Sequence, residues 1–495
     1  MAEFEAALEN VLRREIDAFE TLISAERLTG GASQETYRLV ARIDGVEQTL
    51  AFRRSAGGAT EVVEGRPGLA AEAELMRVAA AAGVPEPEVL AVIDPQRHPV
   101  DTGLGLGFVM EWLEGETLGA RIVRAPELDD VRSRLAYQIG RILARIHQID
   151  VAATGLDALL TTKSTEDYVN ETWQRYQDLG TPQPMIDYTA RWLLDNLPPA
   201  VTPRLVHNDF RNGNIMVDHT GVVAVLDWET AHIGDPMRDL GWICTNSWRF
   251  GRSDLPVGGF GHYNDLFAGY EDESGIRVDA EHVKYWEVFG SFWWAAGTLG
   301  MGEHWRNGPD PSVERPAIAR RSSECQIDCV NLLIPGPTSL VPADTPPRDG
   351  SSSDLPTNDE LVASVIAFLR EDVMAHTEGR TQFLARVAAN SLDIVRREFA
   401  SSPAHRAAET KRLLDLGMGK GTNPADELGS DQHDGDALLA LRWELTRSLR
   451  DGSLPLDRPG LAEHLRLAVT NQVAIDQPKY SGLATALAFG RGLES

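Results

Sequence analysis

Cysteine is scarce in this sequence, and its scarcity narrows the classes of protein that the chain can encode. The 495 residues contain three cysteines, too few for the disulfide framework of a small secreted domain and typical of a reducing compartment. Cys325 and Cys329 are separated by one helical turn in the sequence. Because no further metal-ligating residues stand nearby, we expect buried thiols there rather than a zinc site.

Long apolar runs are missing as well. No uninterrupted apolar stretch is long enough to cross a bilayer as a helix. The first residues, MAEFEAALENVLRREI, are acidic and amphipathic, unlike a secretory signal. The sequence therefore predicts a soluble, cytoplasmic protein without a membrane-spanning segment.

Positive charge is also in short supply, since 47 Lys and Arg face 74 Asp and Glu for a formal net charge of −27. Nucleic acids and anionic membranes attract clustered cations, so neither is an expected partner. A nucleotide site is not excluded, because it needs only a few local cations and a metal ion. No lysine precedes Lys163, so any cation that acts in the preceding part of the chain must be an arginine.

The hydrophobic pattern divides the chain into a β-rich beginning and a long helical remainder. Helical spacing of apolar residues predicts helices over 3–24 and 68–82, and β-like runs predict strands over 36–43, 48–54, 89–93 and 108–112. Helical periodicity continues from 128 to 333, interrupted by a hairpin signal around Asp218–Gly221.

We therefore expect two or three domains from the length and the pattern. A Pro/Ser/Gly/Asp-rich stretch within 335–358 reads as a flexible linker, and mostly helical sequence follows it. The expected division is an N-terminal helix and β-rich lobe at 1–113, a helical lobe at 114–336, a linker at 337–357 and a helical domain of unassigned role at 358–495.

The segment LVHNDFRNGNIMV and the strand that follows it carry the residues with the clearest chemical meaning. His207 and Asp209 are separated by one residue, Asn214 follows five residues after that aspartate, and Asp227 ends the next apolar strand. Phosphoryl transfer from ATP needs a carboxylate to accept the proton of the attacking hydroxyl, and oxygen ligands for Mg²⁺. An Asp-x4-Asn loop that leads into a hairpin ending in aspartate brings these groups together, as in the kinase catalytic loop.

These motifs, with the following GDPMRDLGW stretch, resemble the aminoglycoside phosphotransferase and choline kinase group over roughly residues 20–335. Within that group, the motif residues are similar to those of the phosphotransferase-like domains related to the domains fused to some acyl-CoA dehydrogenases. The resemblance implies an α+β fold: a bilobal protein-kinase-like arrangement with a small β-rich N-lobe and a helical C-lobe. A C-terminal all-α domain is expected to follow it.

The resemblance also implies roles for the motif residues. Asp209 would be the catalytic base, Asn214 and Asp227 would hold Mg²⁺, and His207 would pack and hydrogen-bond the loop. Asp235 and Asp239 would brace the loop, with a plain helix-cap role as the alternative. Asn208 is a departure, because the family usually has glycine at that position.

The nucleotide-binding lobe is expected to contain a phosphate loop and a phosphate-pairing cation. Gly30, Gly31 and Ser33 stand ahead of a strand, where backbone N–H groups and a hydroxyl could reach phosphate oxygens; an ordinary hairpin turn is the alternative. In LAFRR, strand alternation favours Arg53 as the cation in place of the usual lysine, with Arg54 as its competitor.

Two further elements of the nucleotide site follow from the resemblance alone. Glu72 would pair with the cation, with Glu74 as the alternative. Main-chain groups around Glu111 and Leu113 would hydrogen-bond adenine.

The acceptor pocket of the family lies in the helical region that follows. Here that region is rich in aromatic residues, most of which we expect in the core: Trp242, Trp248, Phe250, Trp286, Phe289, Phe292, Trp293, Trp294 and Trp305.

The leading hypothesis is a small-molecule kinase that uses ATP and Mg²⁺ to phosphorylate a hydroxyl group. A hydroxy acid, a hydroxyacyl-CoA and an aminoglycoside-like compound are the acceptors considered. The alternatives are a catalytically inactive kinase-like binding module and a scaffold that works through residues 358–495. The sequence indicates neither the acceptor nor the oligomeric state.

Overall fold

The computed structural model describes residues 2–28, 34–59, 67–94, 103–308, 310–342, 356–419 and 431–491. Within these ranges, none of the helices combines the length and the apolar character that crossing a membrane requires. Contacts divide the chain into two compact units, each made of two segments. The first unit comprises Met1–Thr165 with Pro199–Glu287, and the second comprises Glu166–Pro198 with Val288–Ser495.

The first unit begins with a five-stranded antiparallel sheet in the order β1-β2-β3-β5-β4. Its elements are α1 (Ala2–Glu15), β1 (Phe19–Arg27), β2 (Gln34–Ile43), β3 (Val46–Ser55), α2 (Leu69–Ala81), β4 (Val89–Ile93) and β5 (Gly107–Glu111). The two-residue turn between β2 and β3 is formed by Asp44 and Gly45, both with positive φ. Such a turn matches the twist of the flanking strands, which explains the tight hairpin.

The predicted helix over 3–24 is wrong in its second half. Helix α1 ends at Glu15, and after a turn through Ala18 at φ 57° the chain enters strand β1. Phe19 pairs with Ile43, on the edge of β2 that faces away from β3. A strand partner that is distant in sequence therefore overrides the local helical spacing.

Helix α1 is held by a core under the sheet. Leu8, Val11 and Leu12 are fully buried in one cluster with Leu39 and Phe52. Each such side chain contributes roughly 1.5–3 kcal/mol through burial of its apolar surface.

The rest of the first unit supplies helices and two short strand pairs around the central motifs. Its elements are α3 (Gly119–Arg124), α4 (Asp129–Gln148), β6 (Arg204–Val206), β7 (Ile215–Asp218), β8 (Gly221–Val225), β9 (His232–Gly234), α7 (Met237–Cys244) and α8 (Tyr263–Ser274). Strands β7 and β8 form the expected hairpin, and β6 pairs with β9. The motif residues thus lie on the connections between short strands. Each connection is held by the strand that precedes it and the strand that follows it.

The second unit is helical. Its elements are α5 (Thr165–Asp178), α6 (Pro184–Asp195), the end of α9 (Ala280–Asn307), α10 (Glu314–Ala319), α11 (Ser322–Leu333), α12 (Asn358–Ala367), α13 (Met374–His376), α14 (Gly379–Asp415), α15 (Asp431–Arg450), α16 (Leu461–Asp476) and α17 (Ser481–Arg491). Cys325 and Cys329 on α11 are buried free thiols, as expected. The β-rich N-terminal region, the helical part and the further helical region confirm the α+β class with an appended all-α region.

The described part of the expected linker is attached to α16. The backbone of Ser339 accepts a hydrogen bond from Asn471 at 3.2 Å, and the N–H of Val341 donates to the same side chain at 2.7 Å. Arg466 donates to the carbonyl of Pro337 at 3.3 Å. The remaining linker residues, 343–355, lie outside the described residues.

Candidate active site

The loop between β6 and β7 presents Asp209 with both carboxylate oxygens engaged. Its Oδ2 accepts a hydrogen bond from Asn214 at 2.7 Å, and its Oδ1 accepts one from the indole of Trp242 at 2.9 Å. Arg211 donates to the same carboxylate at 3.0 Å. Asp209 is nevertheless partly exposed, with 24 % of its side chain accessible. It is therefore a carboxylate held in one orientation that a ligand can still reach.

Asn214 connects this carboxylate to the strand that carries Asp227. Its side-chain amide also donates to the backbone carbonyl of Asp209 at 2.9 Å. The backbone carbonyl of Asn214 accepts a hydrogen bond from the N–H of Leu226 at 2.7 Å. Leu226 immediately precedes Asp227. The structure thus brings Asp209, Asn214 and Asp227 into one hydrogen-bonded neighbourhood.

His207 lies behind the loop and is fully buried. One ring nitrogen accepts from the N–H of Asp209 at 3.3 Å, and the other donates to the carbonyl of Leu226 at 3.1 Å. Burial lowers the pKa of His207, which keeps the imidazole neutral and suits this arrangement of one acceptor and one donor. This geometry supports the structural role predicted for His207.

Asp239 supports the same loop from α7. Its carboxylate accepts hydrogen bonds from the backbone N–H groups of His207 at 2.9 Å and Asn208 at 2.7 Å, and it lies 3.2 Å from His147. Burial would raise the pKa of Asp239, but the hydrogen bonds, led by that of His147, bring it below its ordinary value. Asp239 therefore acts as a fully buried anion that orients two consecutive backbone donors.

Asp235 has a different set of partners. It accepts from the N–H of Met237, the first residue of α7, at 3.0 Å. Its other oxygen contacts His282 at 2.5 Å and Trp286 at 2.9 Å. Asp235 thus caps the start of α7 and connects it to α9.

The backbone at Asn208 explains the departure from the family pattern. Asn208 has φ 72°, in the left-handed region where glycine is favoured and asparagine is the best-tolerated alternative. Its side chain donates to the carbonyl of Thr230 at 3.2 Å. The position requires the conformation rather than the residue type, so asparagine preserves the loop.

Arg53 on β3 connects the β-rich lobe to Asp227, the aspartate that is predicted to bind Mg²⁺. Its Nη2 lies 2.5 Å from Oδ1 of Asp227 and 3.3 Å from Oε1 of Glu72. Arg53 also donates to the side chain of Gln34, whose amide donates to Glu229 at 3.3 Å. One guanidinium therefore lies among three carboxylates.

Glu72 sits at the start of α2 and is 1 % exposed. Burial raises the pKa of Glu72 to about 7; Arg53 opposes this rise, and the charges of Asp227 and Glu229 add to it. Its ionisation is thus sensitive to the charges that enter or leave this cluster.

The two alternatives to these residues point elsewhere. Arg54 forms a buried ion pair with Glu35 at 2.7 Å and donates to the hydroxyl of Tyr37 at 3.1 Å. Glu74 is partly exposed, with 45 % of its side chain accessible, and lies 3.8 Å from Arg77. Arg53 and Glu72, rather than Arg54 and Glu74, are the residues that lie beside Asp227.

The other nucleotide contacts predicted from the sequence involve two further segments of the β-rich lobe. Glu111 ends β5, opposite Leu50 on β3, and Leu113 follows it as a half-buried residue. Gly30, Gly31 and Ser33 lie outside the described residues.

Sequence reasoning missed Arg211, Trp242 as a partner of Asp209, Gln34 and Glu229. Arg211 stands two residues after Asp209, within the motif, and its guanidinium stacks 4.6 Å from the ring of Trp248. Its position in the motif was a usable signal. Gln34 carried none, because its contact with Arg53 depends on the register of β2 with β3.

Most of the nine aromatic residues of the helical region are buried, as expected, with Trp248 among them. Trp242, Trp286, Phe289 and Phe292 are buried, and Trp305 is 46 % exposed. Trp242 and Trp248 adjoin the loop of Asp209, with ring centroids 5.7 Å apart.

The oxygen donors at the site suit a magnesium ion. Asn214 uses its amide nitrogen on Asp209, which leaves its side-chain oxygen for a cation, and Asp227 supplies a partly exposed carboxylate. Three carboxylates around one guanidinium leave local negative charge for a cation to neutralise. Asparagine and aspartate oxygens are the ligands that Mg²⁺ takes beside phosphates. No cluster of three or more His, Cys, Asp or Glu among the described residues could hold a metal by itself.

Comparison with known families identifies the family of the chain. The model of the Phosphotransferase enzyme family matches residues 24–275, half of the chain, so the chain belongs to that family. The predicted aminoglycoside-phosphotransferase type is thereby confirmed, and the chain carries a kinase-like phosphotransferase domain. A second model, Domain of unknown function (DUF6285), matches residues 375–480 in the helical unit.

Two curated relatives each match about a third of the chain or less. The chain is 32 % identical to mouse acyl-CoA dehydrogenase family member 10 over 182 residues, which is 35 % of this chain and 16 % of the relative. It is 32 % identical to chicken acyl-CoA dehydrogenase family member 11 over 140 residues, 27 % of this chain and 18 % of the relative. The chain thus matches less than a fifth of the length of these relatives.

A solved structure confirms the protein-kinase-like fold. A candidate aminoglycoside phosphotransferase from Ralstonia eutropha aligns with a TM-score of 0.52 at 23 % identity, covering 65 % of this chain and 95 % of that one.

Proposed function

We propose that this protein is a kinase that transfers the γ-phosphoryl group of ATP to a hydroxyl group of a small molecule. One observation carries the proposal: Asn214 hydrogen-bonds the carboxylate of Asp209 and the backbone beside Asp227 at the same time. A proton acceptor and two metal-type oxygen donors are therefore held at one place, which is what phosphoryl transfer requires of a protein.

Asp209 is proposed as the catalytic base. Its carboxylate is oriented by Trp242 and Asn214 and remains partly exposed, so an acceptor hydroxyl can approach and give up its proton. Arg211, which pairs with Asp209, places a positive charge beside the position where negative charge develops on the transferring phosphoryl group.

Asn214 and Asp227 are proposed to hold Mg²⁺, which when bound neutralises charge on the phosphates. Arg53 is the proposed phosphate-pairing cation, positioned by Glu72. An arginine keeps its charge under all conditions and can contact phosphate through two N–H groups, so it can take the place of lysine. Asp235 and Asp239 are proposed as supports for this arrangement.

The nucleotide is proposed to lie against the β-rich lobe. Main-chain groups around Glu111 and Leu113 would bind adenine, and the segment with Gly30, Gly31 and Ser33 would contact the phosphates. In this proposal residues 1–113 form the nucleotide lobe and 114–336 the catalytic lobe, and 337–357 connect them to a helical domain at 358–495.

The acceptor is proposed to carry an apolar or acyl part. Trp242 and Trp248 adjoin Asp209, and aromatic faces suit an apolar chain better than a polycation. The two relatives are named as acyl-CoA dehydrogenase family members, which favours a hydroxyacyl-CoA or a hydroxy acid over an aminoglycoside-like acceptor.

The deciding experiment measures ADP release with Mg²⁺ and ATP over three acceptors: a 3-hydroxyacyl-CoA, the matching free hydroxy acid and an aminoglycoside. We expect turnover with the hydroxyacyl or hydroxy-acid acceptor and its loss in Asp209→Asn. Saturable binding of ATP without turnover of any acceptor would instead favour an inactive nucleotide-binding module.

A further inference from the structure

The helical unit contains two neighbouring cavities that the phosphotransferase site does not use. The first has a volume of about 280 Å³ and the second about 260 Å³. Both are lined by side chains of α14, α15 and α16, and both include Glu409 and Arg442. Most of their lining falls within residues 375–480, the segment that matches the second family model.

The two cavities share a wall that is formed by an ion pair whose opposite charges cancel. Arg442 donates to the two oxygens of Glu409 at 2.7 and 2.6 Å, and Glu409 is 8 % exposed. A second lining carboxylate, Glu398, lies 2.9 Å from Arg320. Both acidic groups of the first cavity therefore have an arginine partner.

Two further arginines of the first cavity have no such partner in the part of the chain that the structure describes. Within the described part of the chain, neither Arg406 nor Arg412 forms an ion pair with a carboxylate. The Nε of Arg412 is buried without a hydrogen-bond partner among those residues. A buried guanidinium nitrogen that is left unsatisfied is costly, so a bound acceptor group would stabilise it.

Neutral polar groups complete the lining. His405 hydrogen-bonds Asn471 at 2.7 Å in the first cavity. His464 lines the second, is 2 % exposed, and its Nδ1 has no partner among the described residues. Burial lowers the pKa of His464 to about 4, with the positive charges of Arg412 and Arg442 adding to this, so the ring is neutral at physiological pH.

We propose that the first cavity binds a small organic anion through Arg406 and Arg412. The balance of charge decides the sign of the ligand, because the carboxylates there are already paired and the remaining guanidinium groups are not. Guanidinium groups recognise carboxylate and phosphate oxygens, so the ligand carries one of these groups. A volume of about 280 Å³ lies near the lower limit of small-molecule sites, which indicates a metabolite of a few carbon atoms.

Titration calorimetry on the full chain tests this site with three probes: succinate, inorganic phosphate and the neutral analogue succinamide. We expect saturable millimolar or tighter binding of succinate or phosphate, and none of succinamide. Whichever anion binds identifies the group that the site prefers. Arg412→Gln and Arg406→Gln, the latter at an exposed residue, should each weaken anion binding at least about tenfold. This is the effect of losing a charged hydrogen bond.

Arg386→Gln is the matched control, because Arg386 is an exposed arginine on the same helix, outside the cavity lining. It should leave the affinity unchanged. Absence of saturable binding of both anions, equal affinity of Arg406→Gln and wild type, or loss of binding in Arg386→Gln would each overturn the proposal. These results do not depend on whether the chain is an active kinase.

Discussion

The Nη2 atom of Arg53 lies 2.5 Å from the Oδ1 atom of Asp227. The two residues are far apart in sequence, and each belongs to a different element of the candidate site. Because Glu72 contacts the same guanidinium nitrogen at 3.3 Å, Arg53 is held between a buried and a partly exposed carboxylate. A phosphate group that enters beside Asp227 would meet this guanidinium directly.

The adjacent arginines of β3 should therefore fail in different ways when mutated. Arg53→Met should raise the KM for ATP about tenfold or more, because a charged contact to phosphate is lost. Arg54→Met should instead destabilise the fold by about 2 kcal/mol, since the buried Glu35 loses this charged partner and keeps the exposed Arg27 as its other ion-pair partner. Steady-state kinetics and urea unfolding of both variants measure this contrast, and equal effects on KM would contradict it.

Asp209→Asn should lower kcat about 100-fold or more while leaving the fold intact, because the amide cannot accept the acceptor proton. The measurement is ADP release under saturating ATP and acceptor. Asp254→Asn is the control, since that aspartate is exposed and, among the described residues, pairs with Arg252 at the surface. Unchanged turnover in Asp209→Asn would remove the proposed mechanism.

Substitution of Asn208 should separate conformation from side-chain chemistry. Its φ of 72° is accessible to glycine but unfavourable for alanine. Both variants lose the hydrogen bond to Thr230, and only Asn208→Ala adds backbone strain of about 1–2 kcal/mol. We expect the order wild type, glycine, alanine in unfolding free energy. A glycine variant less stable than the alanine variant would show that φ is not the constraint.

Glu72 should make stability depend on pH. Burial raises its pKa to about 7, above the value of an unfolded chain. In this window the folded state keeps a proton that the unfolded state has lost, so stability falls as pH rises from about 4.5 to about 7. The full loss attributable to Glu72 is on the order of 3 kcal/mol.

Comparing Glu72→Gln with the partly exposed Glu74→Gln isolates this effect. Unfolding free energies measured at several pH values should fall less with pH in Glu72→Gln than in wild type. Glu74→Gln should follow the wild-type curve, because Glu74 lies at the surface. Parallel curves for all three proteins would place the titration elsewhere.

The local elements of the fold were largely predictable. Strand β4 was predicted with its observed bounds, and the hairpin of β2 and β3 followed from alternation around Asp44 and Gly45. Strand β1 was missed because its sequence fits a helix and only its pairing with β2 reveals it. Local pattern thus succeeded where short-range contacts define the element and failed where a distant partner does.

The chemistry available at the candidate site follows from the amino-acid sequence alone. The spacing of His207, Asp209 and Asn214, with Asp227 after the next strand, specifies residue types that suit phosphoryl transfer. Their order along one short segment makes them recognisable without coordinates, because loop and hairpin geometry depend on local turns.

Which of Arg53 and Arg54, and which of Glu72 and Glu74, lies near Asp227 became visible in the three-dimensional structure. Adjacent residues on a strand face opposite sides, but which side meets Asp227 depends on how the sheet, α2 and the β7–β8 hairpin assemble. The roles of Trp242 and Gln34 and the cavities of the helical unit arise in the same way. They are contacts between segments distant in sequence, and no local pattern records them.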